Sequence, residues 1–273
     1  MTVWFITGAS RGLGAAIAEQ ALLRGDRVVA AARRPETITP GEHEDRLLPV
    51  ALDVTDEQEA QRAVTAAMKR FGRIDVLVNN AGTSLVGAVE EASAAEVEGV
   101  FATNLYGALN VARAVLPLMR TQRSGSVVNI GSMGGFAQSP GWGVYGATKF
   151  ALEGISEAMT GELAPLGIHV MVVEPGSFRT DFLDAGSLRA ARTLIDDYTA
   201  TVGPVRAAIS ARNQNQINDP MKGAAAIVEA VTATNPPTRL QIGPDAVAVV
   251  ERKLAHVHQE LQTWRAVSES TLY

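Results

Sequence analysis

Residues 3–23 read VWFITGASRGLGAAIAEQALL. Val3 to Thr7 is a short apolar run rich in strand-favouring side chains. The turn Thr7-Gly8-Ala9-Ser10-Arg11-Gly12-Leu13-Gly14 follows, and Leu13 to Leu23 carries apolar residues at helical spacing. Strand, glycine turn and helix in that order open a βα unit, and the alternation recurs down the chain. Strands are expected at Arg27 to Ala32, Leu47 to Leu52, Val76 to Asn79, Ser126 to Ile130 and His169 to Glu174, with Arg239 to Ile242 completing a set of about seven. Helices are expected at Asp56 to Phe71, Glu96 to Met119 and about Tyr145 to Leu163. Continuous Val/Ile/Leu strands suit a parallel sheet covered by helices on both faces, so the expected fold is α/β with one doubly wound parallel sheet.

In such a sheet the first turn has a chemical use. Glycines let the backbone approach a pyrophosphate, and the helix N-terminus offers it unpaired N–H groups and a partial positive charge. Gly8, Gly12 and Gly14, with Ser10, Arg11 and Leu13 beside them, are therefore candidates for a dinucleotide site in a Rossmann-like domain. About 20 residues on, an NAD site usually shows an acid at the end of the second strand. This chain has Ala32, Arg33 and Arg34 there. Guanidinium groups pair with a 2′-phosphate where a carboxylate would repel it, and Arg11 offers a third cation. NADP(H) is favoured over NAD(H), the alternative being that Arg33 and Arg34 only decorate a surface loop beside Glu36.

The chain has 273 residues and is 47% hydrophobic, enough for a large aliphatic core. Its 24 Lys and Arg against 29 Asp and Glu leave a net charge of −5, with no global attraction for nucleic acid or an anionic membrane. There is no Cys, which excludes disulfides, thiol nucleophiles and thiolate metal sites. No basic leader precedes the first apolar run and no apolar stretch reaches ~18 residues, so a soluble, cytoplasmic protein is expected. Residues 1–243 read as one dinucleotide-binding and catalytic domain, with Phe182 to Pro220 an irregular insertion or lid. Residues 244–273 read as a helical extension packed on the same domain, helical to about Val267, with SESTLY as a loose tail.

Tyr145 and Lys149 lie four apart on an expected helix and share a face. A phenol with an ordinary pKa of ~10 needs a nearby cation to work as an acid or base at neutral pH, and Lys149 supplies one. Ser132 follows the strand Ser126 to Ile130 at the carboxyl edge where open α/β sheets hold ligands. Its hydroxyl can hold a substrate oxygen, although Ser in Gly-Ser-Met-Gly-Gly is also ordinary turn chemistry.

TGASRGLG, Asp53 in LDVT, Asn79-Asn80-Ala81-Gly82, Asn104, Ser132, Tyr145-Gly-Ala-Thr-Lys149 and Pro175-Gly-Ser-Phe-Arg-Thr180 resemble, in order and spacing, the short-chain dehydrogenase/reductase family. The resemblance runs from residue 1 to about 182. It implies that Gly8, Gly12 and Gly14 line the pyrophosphate and Asp53 meets the adenine edge. Asn79, Asn80, Ala81 and Gly82 would shape the coenzyme groove, and Pro175, Gly176 and Thr180 the nicotinamide carboxamide site. It likewise implies Tyr145 as general acid/base, Lys149 as the group that lowers its pKa and holds the nicotinamide ribose, Ser132 as the carbonyl-oxygen ligand, and Asn104 as the anchor of a water leading to Lys149. Gly131 stands where many relatives carry a second Ser. Relatives form dimers or tetramers through helices that here are Glu96 to Met119 and Tyr145 to Leu163, which implies a homo-oligomer.

The expected function is an NADP(H)-dependent oxidoreductase interconverting a ketone or aldehyde and an alcohol, acting on a small molecule. Hydride transfer to a carbonyl leaves charge on oxygen, and two hydroxyl donors within ~3 Å of it lower the barrier. A non-catalytic dinucleotide sensor or scaffold is the alternative from another class, and epimerisation or dehydration of a cofactor-bound sugar a third. His256-x-His258 points to two sides of a helix, and no metal site is expected. Glu57, Glu59, Glu90 and Glu91 read as helix surface. Phe136, Trp142, Phe182, Leu183 and Tyr198 are candidates for an apolar substrate wall or for plain core.

Overall fold

The structure, a computed structural model, describes residues 1–273 apart from the side chain of Ser210. The chain runs β1 (Val3–Thr7), α1 (Gly12–Leu23), β2 (Arg27–Ala32), β3 (Leu47–Ala51), α2 (Glu57–Phe71), β4 (Val76–Asn79), β5 (Ser84–Val86), α3 (Ala94–Phe101) and α4 (Gly107–Gln122). It continues through β6 (Gly125–Ile130), α5 (Gly143–Leu163), β7 (Ile168–Pro175), β8 (Leu188–Ala190), α6 (Gly203–Arg212), α7 (Pro220–Val231), β9 (Arg239–Ile242) and α8 (Pro244–Glu269). Seven strands form one parallel sheet in the order β3-β2-β1-β4-β6-β7-β9.

Each face of the sheet carries its own core. Phe5, Leu77 and Val127 point to one side and pack with Val64 of α2, Val111 and Met119 of α4, and Met159 of α5. Trp4, Ile6, Val78 and Met171 point to the other and pack with Ile17 of α1 and Ile227 of α7. Alternate residues of one strand thus feed opposite cores, which is why β1 is apolar throughout. Local signals fix the helix ends: the Asp56 carboxylate accepts from the Gln58 and Glu59 N–H groups at 2.8 and 2.9 Å, and Gly72 closes α2 with φ +76°. Strand order reverses between β1 and β4, so the crevice at their carboxyl ends is the place for a ligand.

Four expectations need correction. The helix over Glu96 to Met119 is interrupted by a π turn at Ala102–Tyr106. The segment Phe182 to Pro220 is not irregular throughout: β8 pairs in parallel with β5, and α6 lies within it. β8 has only three residues and so no periodicity to read, and the Gly203-Pro204 pair that looks like a breaker is a helix start, where Pro is well tolerated. Glu91 is no helix-surface acid. It is 1% exposed, accepts from the Ala88 and Ile195 N–H groups at 2.6 and 3.0 Å, and pairs with Arg206 of α6. Burial pushes its carboxyl up, but those two N–H groups and Arg206 outweigh it and hold the pKa below the usual range. Lastly, residues 244–273 do not pack on the domain over their whole length. Ala246 and Val250 are buried, whereas every residue from Leu254 onward is exposed and the helix runs on to Glu269.

Candidate active site

One cavity of about 1350 Å³ opens at the switch point and runs from the glycine turn to the mouth beside α8. Its floor at one end is made by Gly8, Ser10, Arg11, Gly12 and Leu13. Gly8 and Gly12 have φ of +65° and +57°, which glycine adopts without strain. A Cβ on Gly8 would stand 3.0 Å from the Ala81 Cα. Gly14 is not on the cavity wall. A Cβ there would come within 2.5 Å of the Gly8 carbonyl oxygen and closer still to Asn80, so Gly14 lets α1 press against the loop after β4 rather than lining a pyrophosphate.

That loop is tied to the turn it faces. Asn80 donates from Nδ2 to the Thr7 and Gly8 carbonyls at 2.9 and 3.2 Å, and the Asn80 and Ala81 N–H groups both donate to Thr7 Oγ1 at 3.0 Å. Asn80, Ala81 and Gly82 line the cavity, whereas Asn79 is buried in the sheet, donating to Asn129 at 2.9 Å. At the adenosine end Arg33 and Asp53 reach the wall, and Asp53 Oδ1 also accepts from Thr55 N–H and Oγ1. Arg34 lies off the wall, at the start of a 3-10 turn whose Thr37 Oγ1 donates to its carbonyl. Arg11 lines the cavity, but its guanidinium donates to Ser187 Oγ at 2.7 Å. Of the three expected cations, Arg33 alone therefore stands at the adenosine end without an acidic or polar partner among the described residues. Pro175, Gly176 and Thr180 line the opposite wall.

Ser132, Tyr145 and Lys149 converge at the inner end. Ser132 leaves β6 in extended conformation, its Oγ accepts from the Gly134 N–H at 3.0 Å, and it lines the cavity together with Tyr145. Tyr145, in the first turn of α5, is wedged between Trp142 and Phe182, with ring centroids 6.0 and 5.6 Å away. Burial pushes its phenol up to about 12, against the pull of the Ser132 hydroxyl. Lys149 Nζ lies 5.9 Å from the Tyr145 ring and donates to the Ile130 carbonyl at 2.7 Å. Burial pulls its ammonium down to about 8, with the Glu153 charge partly restoring it. Asn104 sits behind the wall in the π turn. Its Oδ1 accepts from Thr83 N–H at 2.8 Å, and its Nδ2 donates to the Thr83 carbonyl and to Thr148 Oγ1, both at 2.9 Å. That side chain joins the loop after β4 to α5.

Sequence reasoning missed a buried ionic cluster behind these residues. Glu153, one turn beyond Lys149, accepts from Arg239 Nη2 at 2.9 Å, and Arg239 Nε lies 2.9 Å from Glu174 as an ion pair without hydrogen-bond alignment. Burial pushes Glu153 up to about 7, helped by the Glu174 charge and opposed by Arg239 and Lys149; Glu174 is also raised by burial. A Cβ on Gly131 would lie 3.0 Å from Glu153 Oε1 and 2.9 Å from the Val173 carbonyl, which accounts for glycine there. The signal was an acid one helical turn after Lys149, and a second closing an otherwise apolar strand.

The remaining wall is apolar at Met133, Trp142, Phe182 and Leu183 and basic at its outer edge, where Arg252, Lys253 and His256 of α8 reach it. Phe136 instead lies under Arg239, and Tyr198 donates to Glu90 at 2.6 Å, so neither forms the wall. Among the described residues no three His, Asp or Glu gather as metal ligands, and no helix is long and apolar enough to cross a membrane.

A doubly wound sheet with this turn and this Ser, Tyr and Lys triad defines a nicotinamide-dependent oxidoreductase site. Residues 2–189 match the short chain dehydrogenase family model, and the chain belongs to that family. It is 39% identical over 269 residues to the oxidoreductase BOA17 of Botryotinia fuckeliana, covering 97% of each chain. It is 37% identical over 239 residues to a 3-ketodihydrosphingosine reductase of Bacteroides thetaiotaomicron, covering 88% of this chain and 87% of that one. A Streptomyces avermitilis short-chain dehydrogenase superposes with a TM-score of 0.92 at 42% identity over 100% of both chains. Relatives from Burkholderia phymatum (25% identical, TM-score 0.81, 96% and 95% covered) and Burkholderia cenocepacia (26%, 0.74, 96% and 96%) were solved with NAD and NADP respectively.

Proposed function

We propose that the protein is an NADP(H)-dependent oxidoreductase that interconverts a small ketone or aldehyde and the corresponding alcohol. The observation that carries this reading is the convergence of Ser132, the buried Tyr145 and Lys149 at the apolar end of a cavity whose other end is a glycine cradle. The cradle fits a dinucleotide: Gly8 and Gly12 line the cavity with positive φ and no side chain to bar a pyrophosphate, and Arg33 favours a 2′-phosphate. When bound, the nicotinamide supplies or accepts the hydride. The protein's part is to position and polarise. Ser132 and Tyr145 donate to the substrate oxygen, Tyr145 delivers or removes its proton, and Lys149 stabilises the phenolate that this creates. Trp142 and Phe182 keep water from the reacting carbon.

Replacing Tyr145 by Phe keeps the ring packing and removes the proton. Turnover in a panel of ketones and alcohols, followed by reduced-nicotinamide absorbance, should fall about 100-fold or more, while NADPH binding stays within about two-fold. Undiminished turnover defeats the mechanism. Running wild type with NADPH and NADH side by side tests the coenzyme.

A further inference from the structure

We propose that the outer half of α8 docks against the same helix of a second copy of this chain, antiparallel about a two-fold axis. From Val247 the apolar residues step 3, 4, 3, 4 and 3 positions through Val250, Leu254, Val257 and Leu261 to Trp264, the spacing of a coiled-coil seam. Val250 is buried on the domain, but Leu254, Val257, Leu261 and Trp264 are 54%, 46%, 52% and 61% exposed. The seam therefore continues, past the edge of the domain, the very face that α8 buries at Ala246 and Val250. From Leu254 to Glu269 the helix extends for about 24 Å with no packing partner among the described residues. A free helix of that length is marginal in water unless its apolar face is covered.

The chemistry selects the occupant. The charged residues from Glu251 to Glu269 balance, with Glu251, Glu260 and Glu269 against Arg252, Lys253 and Arg265, whereas a membrane-surface helix would carry a cationic face. The face bearing Val249, Arg252, Lys253 and His256 is already turned to the cavity. An antiparallel pair sets Val257 of one copy level with Leu261 of the other and Leu254 level with Trp264, each layer occurring twice, as a two-fold axis requires. On one flank Glu251 then meets Arg265 of the other copy. On the other flank Glu260 meets its counterpart, each with its own His256 Nε2 3.3 Å away. In this register the two globular bodies lie toward opposite ends of the paired helices. This surface is separate from α4 and α5.

Sedimentation of the full chain tests the proposal. The wild type should assemble at micromolar concentration to at least twice its 28.8 kDa. The L261E/W264E variant should halve the assembly or raise its dissociation constant about 100-fold or more. Glu251→Arg and Arg265→Glu should each weaken association, and the double swap should restore it. Because the chain has no Cys, His258→Cys is a sole thiol beside the axis and should be bridged by a short bis-maleimide, while Gln259→Cys, on the opposite face, should not. A monomeric wild type, an assembly indifferent to L261E/W264E, a double swap that restores nothing, or equal bridging at 258 and 259 would each overturn the proposal. Vesicle binding by a monomeric wild type would assign the seam to a membrane instead.

Discussion

Arg33 and Glu153 show how single side chains set the behaviour of this site. Arg33 is the cation left at the adenosine end once Arg11 is bound to Ser187 and Arg34 lies off the wall. Replacing it by Ser should raise KM for NADPH about ten-fold or more and leave KM for NADH nearly unchanged, as read from initial rates with both coenzymes. Glu153 acts through Lys149. Its carboxylate raises the ammonium's pKa, so in Glu153→Gln Lys149 loses its proton at lower pH and the basic limb of the rate profile shifts down, whereas Glu153→Asp keeps much of the wild-type profile. Stability carries the opposite marker. A carboxyl raised from 4.5 to about 7 on folding contributes stability that is complete below pH 4.5 and lost as pH rises through 7. Thermal melts across that window should slope downward in wild type and flatten in Glu153→Gln, the difference amounting to about 3 kcal/mol at most.

The elements divide by what made them readable. β1, β2, β4, β6 and β7 are buried runs, and α2 carries its own caps, so each stands in the sequence nearly where it stands in the structure. β5 and β8 have three residues each and exist because Ser84 and Leu188 pair across 104 positions, a contact no local pattern encodes. The π turn was hidden for a similar reason: it serves the bonds of Asn104 to Thr83 and Thr148, made by elements 21 and 44 residues away. Ser132, Tyr145 and Lys149 were legible because their spacing is short and their chemistry unusual, whereas Glu91 was taken for surface because nothing local announces Arg206. Glu91 now marks the weak point of the covering segment. In Glu91→Ala the Ile195 N–H and the Arg206 guanidinium lose their partner, a loss of about 2–4 kcal/mol. Residues 182–220 should then become sensitive to limited proteolysis and KM for the carbonyl substrate should rise, with the sheet melting as a later, separate step.

At the scale of the molecule, the two cores hold the sheet rigid while the cavity lies along its carboxyl edge. Rigidity below and cover above meet at one residue. The Ser187 carbonyl accepts from Thr83 Oγ1 and Ser84 N–H at 2.8 Å, and its hydroxyl holds Arg11 of the glycine turn. The flap over the crevice is thus buttoned to both loops that would grip a dinucleotide. A small molecule near the α8 mouth would lie away from that button, whereas a dinucleotide gripped by both loops would lie beneath it. Departure should therefore be sequential, alcohol first and nucleotide last, and stopped-flow fluorescence should find the nucleotide escaping several-fold faster once Ser187 is changed to Gly.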